Sequence, residues 1–234
     1  MKTAMRYVGV CLLLCLGHIS SIFATEPFGI EMGMSLAEVE QICKSRPKHI
    51  KEDAYEIVPP KTNHSFTEYT VWIDPDYGVY WLKAIGKNIY TNGYGDELKS
   101  AFNDLVRNIR NIYGKETINI NSLKSDSHFT DPKYFMYTLG TGERRLGAIW
   151  YEKKMQDLLM NAFKDSTLVK KNAEMEELRN FIDTTAFNNG LPSDISMITV
   201  ECKTDSPLSK TGYVILDYTF SNNLLVEQKE NSVF

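Results

Sequence analysis

Three histidines that could move protons or hold a metal lie beyond residue 24: His49, His64 and His128. Only the last stands among other ligating groups, in Asp126-Ser-His128-Phe-Thr-Asp131. An imidazole flanked by two carboxylates could accept a substrate proton or converge with them on a cation, and a loop would leave the side chains free to do so. Asp, Ser and Thr are also the residues with which loops satisfy their own amides. No histidine has a second ligand at helical or zinc-finger spacing, so no metal site and no cofactor are assigned. No Gly-x-Ser-x-Gly elbow presents a nucleophile, and Gly140-Thr-Gly142-Glu-Arg-Arg145 lacks the Lys-Ser/Thr pair of a phosphate loop. The acidic groups Asp74 with Asp76, and Glu174 with Glu176 and Glu177, read as turn chemistry and a solvated helix face. No catalytic residue is assigned, and His128, Asp126 and Asp131 are the candidates around which a hydrolase site would have to assemble.

A second chemistry is recognition. Tyr77, Tyr80, Trp81, Tyr90 and Tyr94 crowd one stretch of chain, and exposed Tyr and Trp offer large contact area with few rotors. They are the candidate binding residues, although strand alternation turns about half of such side chains inward.

The elements that position these groups follow from spacing. Ser35-Leu-Ala-Glu38 is a capping box, and Leu36, Val39, Ile42 and Cys43 continue a helix that Pro47 ends. Period-two patterning from Ala54 predicts strands. Phe66 to Ile73 and Val79 to Ile89 form a hairpin about Asp74-Pro-Asp-Tyr-Gly78. Trp72, Tyr80 and Leu82 make its second face apolar too, which predicts partial cover on both faces. The strongest helix runs through Leu98, Phe102, Val106, Ile109 and Tyr113 to Gly114. A polar loop through His128 follows. Tyr134 to Leu139 and Arg145 to Tyr151 are then expected as a hairpin about Gly140-Thr-Gly142, and Ile195 to Cys202 with Gly212 to Phe220 as another. The fold class is α+β, an antiparallel sheet with helices on one face. Phe28-Gly-Ile-Glu-Met32 and Tyr94-Gly-Asp-Glu-Leu98 suggest two similar halves, 25–92 and 93–223, within a single domain 25–223. A charged helical insertion is expected at about 153–190, and 224–234 as a flexible tail.

Lys2 and Arg6 ahead of Tyr7 to Gly17, with Ser21-Ile-Phe-Ala24 behind, read as a cleavable secretory signal at 1–24. Its apolar run is too short to span a bilayer, and no later segment approaches that length. Cleavage leaves 210 of the 234 residues and takes the formal charge from -4 to -6, because Lys2 and Arg6 leave with it. An acidic chain whose lysines and arginines are scattered argues against nucleic acid. Cys11 and Cys15 also leave. Cys43 and Cys202 remain, in a compartment that permits a disulfide between them, the alternative being two separately buried thiols.

Several of these stretches resemble landmarks of a family of exported Gram-negative bacterial proteins with no assigned activity. They are Phe28-Gly-Ile-Glu-Met-Gly-Met-Ser-Leu-Ala-Glu-Val39, Tyr94-Gly-Asp-Glu-Leu-Lys-Ser-Ala-Phe-Asn103 and Gly212-Tyr-Val-Ile-Leu-Asp-Tyr-Thr-Phe-Ser-Asn222. More distantly, Gly33-Met-Ser-x-x-Glu-Val39 is similar to the opening of the small lipoproteins of outer-membrane barrel assembly and of β-lactamase inhibitor proteins. The resemblance implies helices on one face of an antiparallel sheet and work by binding other proteins. The expected function is an exported, periplasmic or secreted, non-catalytic binding protein. Its partner would be another protein or an envelope component. The alternatives are the His128 hydrolase and an inhibitor or immunity protein against a secreted enzyme.

Overall fold

A computed structural model of the protein describes residues 26–152 and 191–231. The signal expected at 1–24 and the insertion expected at about 153–190 lie outside them. Helix α1 (Leu36–Ile42) starts where its cap demands. The Glu38 amide donates to Ser35 Oγ at 3.4 Å, and the Ser35 amide donates to Glu38 Oε2 at 2.8 Å. An antiparallel meander follows, β1 (Lys48–Lys51), β2 (Ala54–Glu56), β3 (Phe66–Asp74) and β4 (Gly78–Gly86). Asp74 builds the β3–β4 turn by accepting the amides of Asp76 and Tyr77 at 2.8 and 3.0 Å. Gly78 leaves it with φ +69, and a Cβ there would stand 2.0 Å from the Gly33 carbonyl oxygen. Only glycine therefore lets the loop before α1 lie against this turn, where the amides of Gly33 and Val79 bond to Val79 and Met34 carbonyls.

The short β5 (Ile89–Tyr90) leads to α2 (Asp96–Tyr113), which buries Leu98, Phe102, Val106, Ile109 and Tyr113 along one stripe. It ends at Gly114, whose carbonyl accepts Trp150 Nε1–H at 2.9 Å. Then come β6 (Ile118–Leu123), α3 (Phe135–Gly140), β7 (Arg144–Tyr151), β8 (Ile195–Lys203), β9 (Thr211–Phe220) and α4 (Asn223–Asn231). The sheet order is β1-β2-β3-β4-β9-β8-β7-β6, antiparallel throughout, with β5 paired to the start of β9. A helix followed by a four-strand meander thus occurs twice, α1 with β1–β4 and α2 with β6–β9. The two meanders join where β4 pairs β9. Side chains of α1, α2 and α3 pack with Val71, Leu82, Ala84, Leu216 and Tyr218 in one core on one face of the sheet. The class is α+β, with an antiparallel sheet.

Three expectations are corrected. Tyr134 to Leu139 is helical, because Asp131 accepts the Lys133 amide at 2.9 Å and Pro132 starts a turn that runs into α3. Gly140-Thr-Gly142 accordingly joins a helix to β7. Ile118 to Leu123, read as loop, is strand β6, whose Ile118 and Ile120 are buried against β7. The residues expected as a tail from 224 are helical through Asn231: Val226 is buried, and Lys229 lies 2.9 Å from Asp74 and 2.7 Å from Asp76. Of the two alternatives left open for the cysteines, the structure has the second, with Cys43 and Cys202 as free thiols. Cys43 caps the end of α1 ahead of the first meander, and Cys202 lies opposite Val214 within the second. Burial pushes the Cys202 thiol up to about 12 and raises that of Cys43, which suppresses the reactive thiolate.

Candidate functional site on the second sheet face

Strand side chains alternate, so a sheet that gives one face to α1, α2 and α3 must present the other parity on its second face. The register brings three rows together there. Ala54, Trp72, Trp81, Thr219, Met197 and Tyr151 lie side by side across β2, β3, β4, β9, β8 and β7. The next row runs Glu56, Thr70, Lys83, Asp217, Thr199, Ile149 and Ile118. The third runs Glu68, Ile85, Ile215, Glu201, Gly147 and Ile120. Two tryptophans and an ion pair therefore occupy the middle of the face, on both sides of the β4–β9 seam.

Trp72 and Trp81 are directly opposed on β3 and β4, and their rings stack with centroids 4.2 Å apart and planes 19° from parallel. A bulge at Tyr80 between the pairs Trp72–Trp81 and Ile73–Val79 sets this orientation. Trp81 Nε1–H donates to Asp217 Oδ1 at 3.1 Å. Lys83 Nζ stands 3.5 Å from the same oxygen and 4.6 Å from the Trp81 ring centroid. Thr199 Oγ1 makes a long 3.5 Å contact to Asp217 Oδ2. The Asp217 side chain is 15% exposed and that of Lys83 26%, so the pair is shielded but not sealed. Burial raises the Asp217 carboxyl above its usual range, and Lys83, Trp81 and Thr199 offset part of that rise. Around the centre, Lys203 pairs with Glu201 at 2.8 Å and Arg145 approaches it at 3.8 Å. A shallow pocket of about 90 Å3 lies beside Gly147, between Arg145, Thr199 and Glu201.

Chemically, the face offers flat aromatic surface, fixed donors and one carboxylate, held on a hydrogen-bonded sheet. Such side chains are preorganised, so little rotamer freedom is lost when a partner covers them.

The sequence candidates are dispersed. Trp81 is central to the face. Tyr77 and Tyr80 lie at the β3–β4 end beside α4: the Tyr77 ring centroid is 5.9 Å from Lys229 Nζ, and the buried Tyr80 phenol donates to Asp53. Burial and the Asp53 carboxylate raise the Tyr80 phenol well above its usual range. Tyr90 and Tyr94 are exposed at 69% and 48%, before α2. His128 is exposed and its ring makes no hydrogen bond or ion pair among the described residues. Asp126 is exposed, and Asp131 serves the Lys133 amide and ammonium instead. No group of three His, Cys, Asp or Glu side chains that could hold a metal occurs among the described residues. Trp72, Lys83, Asp217 and Thr199 were not singled out by residue type. Their signal was positional: Asp217 is the lone acid inside Tyr213-Val-Ile-Leu-Asp217-Tyr-Thr-Phe220, and Trp72 and Trp81 share one parity across a hairpin.

Comparison of the chain with protein-family models, curated proteins and solved structures returns no match.

Proposed function

We propose that this is an exported binding module that holds another protein against the second face of its sheet, with Trp72, Trp81, Lys83 and Asp217 at the centre of the contact. One observation carries the reading. A stacked, half-buried indole pair, tied to a shielded Lys–Asp pair, sits on the sheet face opposite α1, α2 and α3. Binding energy at protein interfaces concentrates in such central Trp and charged anchors, while a polar rim excludes water. Glu201, Lys203 and Arg145 supply that rim. Export rests on the leader read at 1–24, and the resemblance to exported proteins and to protein-binding families supports the same class.

The test is affinity capture from periplasmic extract with the mature chain immobilised. Wild-type protein retains a defined partner, and the double variant Trp72→Ala/Trp81→Ala, folded by circular dichroism, releases it. Equal retention by both would remove the face from the function. Turnover of a small substrate with no partner captured would replace the class.

A further inference from the structure

On the helical side of the sheet a groove of about 400 Å3 runs between α2 and the Asn63–Phe66 loop. That volume falls within the range of small-molecule sites, about 300–1,000 Å3. Its floor is apolar, made by Phe66, Ile89, Ala101, Leu105 and Val214. At one end it continues through Asn63, His64, Phe66 and Lys87 into a wider mouth that adds Thr62. The loop that shapes this mouth is fixed. Asn63 Oδ1 accepts the Ser65 amide at 2.9 Å, Tyr69 Oη accepts the Asn63 amide at 3.0 Å, and the Ser65 carbonyl accepts the Lys87 amide at 3.0 Å.

Basic side chains gather at that mouth. Lys87 and His64 line it, and Lys44 Nζ reaches it through Thr62 Oγ1 at 3.3 Å. None of the three has a carboxylate partner among the described residues. The acid that lines the groove, Asp104, is engaged by Arg107 at 2.8 Å. On a chain of formal charge -4, an apolar slot ending in unpaired basic groups specifies its ligand by complementarity.

We propose that this groove binds a small amphipathic carboxylate, its hydrocarbon tail along Leu105, Ala101 and Phe66 and its head at Lys87 and His64. The site is separate from the sheet face and stands or falls independently of it. Calorimetric titration of the mature protein with decanoate, decanol and acetate, all below micellar concentrations, tests it. Decanoate binds, decanol binds about tenfold more weakly for want of the charge-assisted contacts, and acetate does not bind. Ala101→Phe fills the slot and abolishes binding. Lys87→Glu, an exposed substitution that leaves the fold intact, weakens it at least as much as removing the head charge. Trp72→Ala/Trp81→Ala binds decanoate as wild type does. No heat with decanoate, equal affinity for decanol, or unchanged binding by Lys87→Glu would overturn the proposal.

Discussion

Under the proposed function, Asp217 is a residue placed for recognition at some expense of stability. It is the lone acid on a mostly apolar and aromatic strand, and burial raises its carboxyl despite Lys83, Trp81 and Thr199. A carboxyl raised on folding favours the native state most below its unfolded pKa, and that contribution is lost as pH rises through the folded value. At neutral pH the ionised form therefore opposes folding. Asp217→Asn should match or exceed wild-type stability at pH 7, by no more than about 1 kcal/mol, while losing the partner. Thermal melts at pH 7 and at about pH 4, near the ordinary Asp value, should show the difference shrinking in acid. A variant destabilised at pH 7 would mean that the Lys83–Asp217 pair is there to hold the sheet together. The role of this aspartate was not legible from composition. A carboxylate inside a strand can serve either face, and only the register with Lys83 and Trp81 shows which.

At the scale of elements, capping and periodicity made most of the fold readable. The capping box at Ser35, the stripe of α2 and the turn at Asp74 are local physics, and each element formed where its own residues required. The misreadings arose where a start signal upstream was passed over or where distant contacts decided. Tyr134 to Leu139 has strand-like residues, but Asp131 and Pro132 start a helical turn ahead of it. Helix α4 has little apolar patterning and owes its order to the far end of β3, where Lys229 meets Asp74 and Asp76 and Asn222 Nδ2 donates to the carbonyls of Tyr77 and Val79. Burial by itself would raise the Asp74 carboxyl. Lys229 and the amides of Asp76 and Tyr77 outweigh that effect and leave it below its usual value. The stabilisation is therefore present above the ordinary Asp pKa and lost as pH falls through the lowered one. Amide resonances of α4 should broaden on acid titration before those of β8 and β9. Val226→Asp, which forces a charge into a buried site, should remove hydrogen-exchange protection from 223–231 at neutral pH and spare the central strands. Loss of protection throughout the sheet would show α4 to be integral to the core.

For the whole molecule, the consequence of two meanders meeting at β4 and β9 is a second face shared by both, part-exposed at its centre and buried at Ala54, Ile118 and Ile120 towards its edges. Neither half could assemble the candidate site alone: Trp72, Trp81 and Lys83 come from the first, Asp217 and Thr199 from the second. The α+β class was legible because two helix-plus-hairpin patterns are strong local signals. The site was not, because strand order is a non-local property and β4 and β9 are far apart in the chain. If that face is the functional surface, a photoreactive aromatic residue placed there will find the partner. The most direct measurement puts benzoylphenylalanine at Tyr213, on the second face, and separately at Ile112, which is 58% exposed on α2. After irradiation in periplasmic extract, a discrete crosslinked product is expected from position 213 and none from 112. The same product from 112 alone would place the interface on the helical side and contradict the assignment.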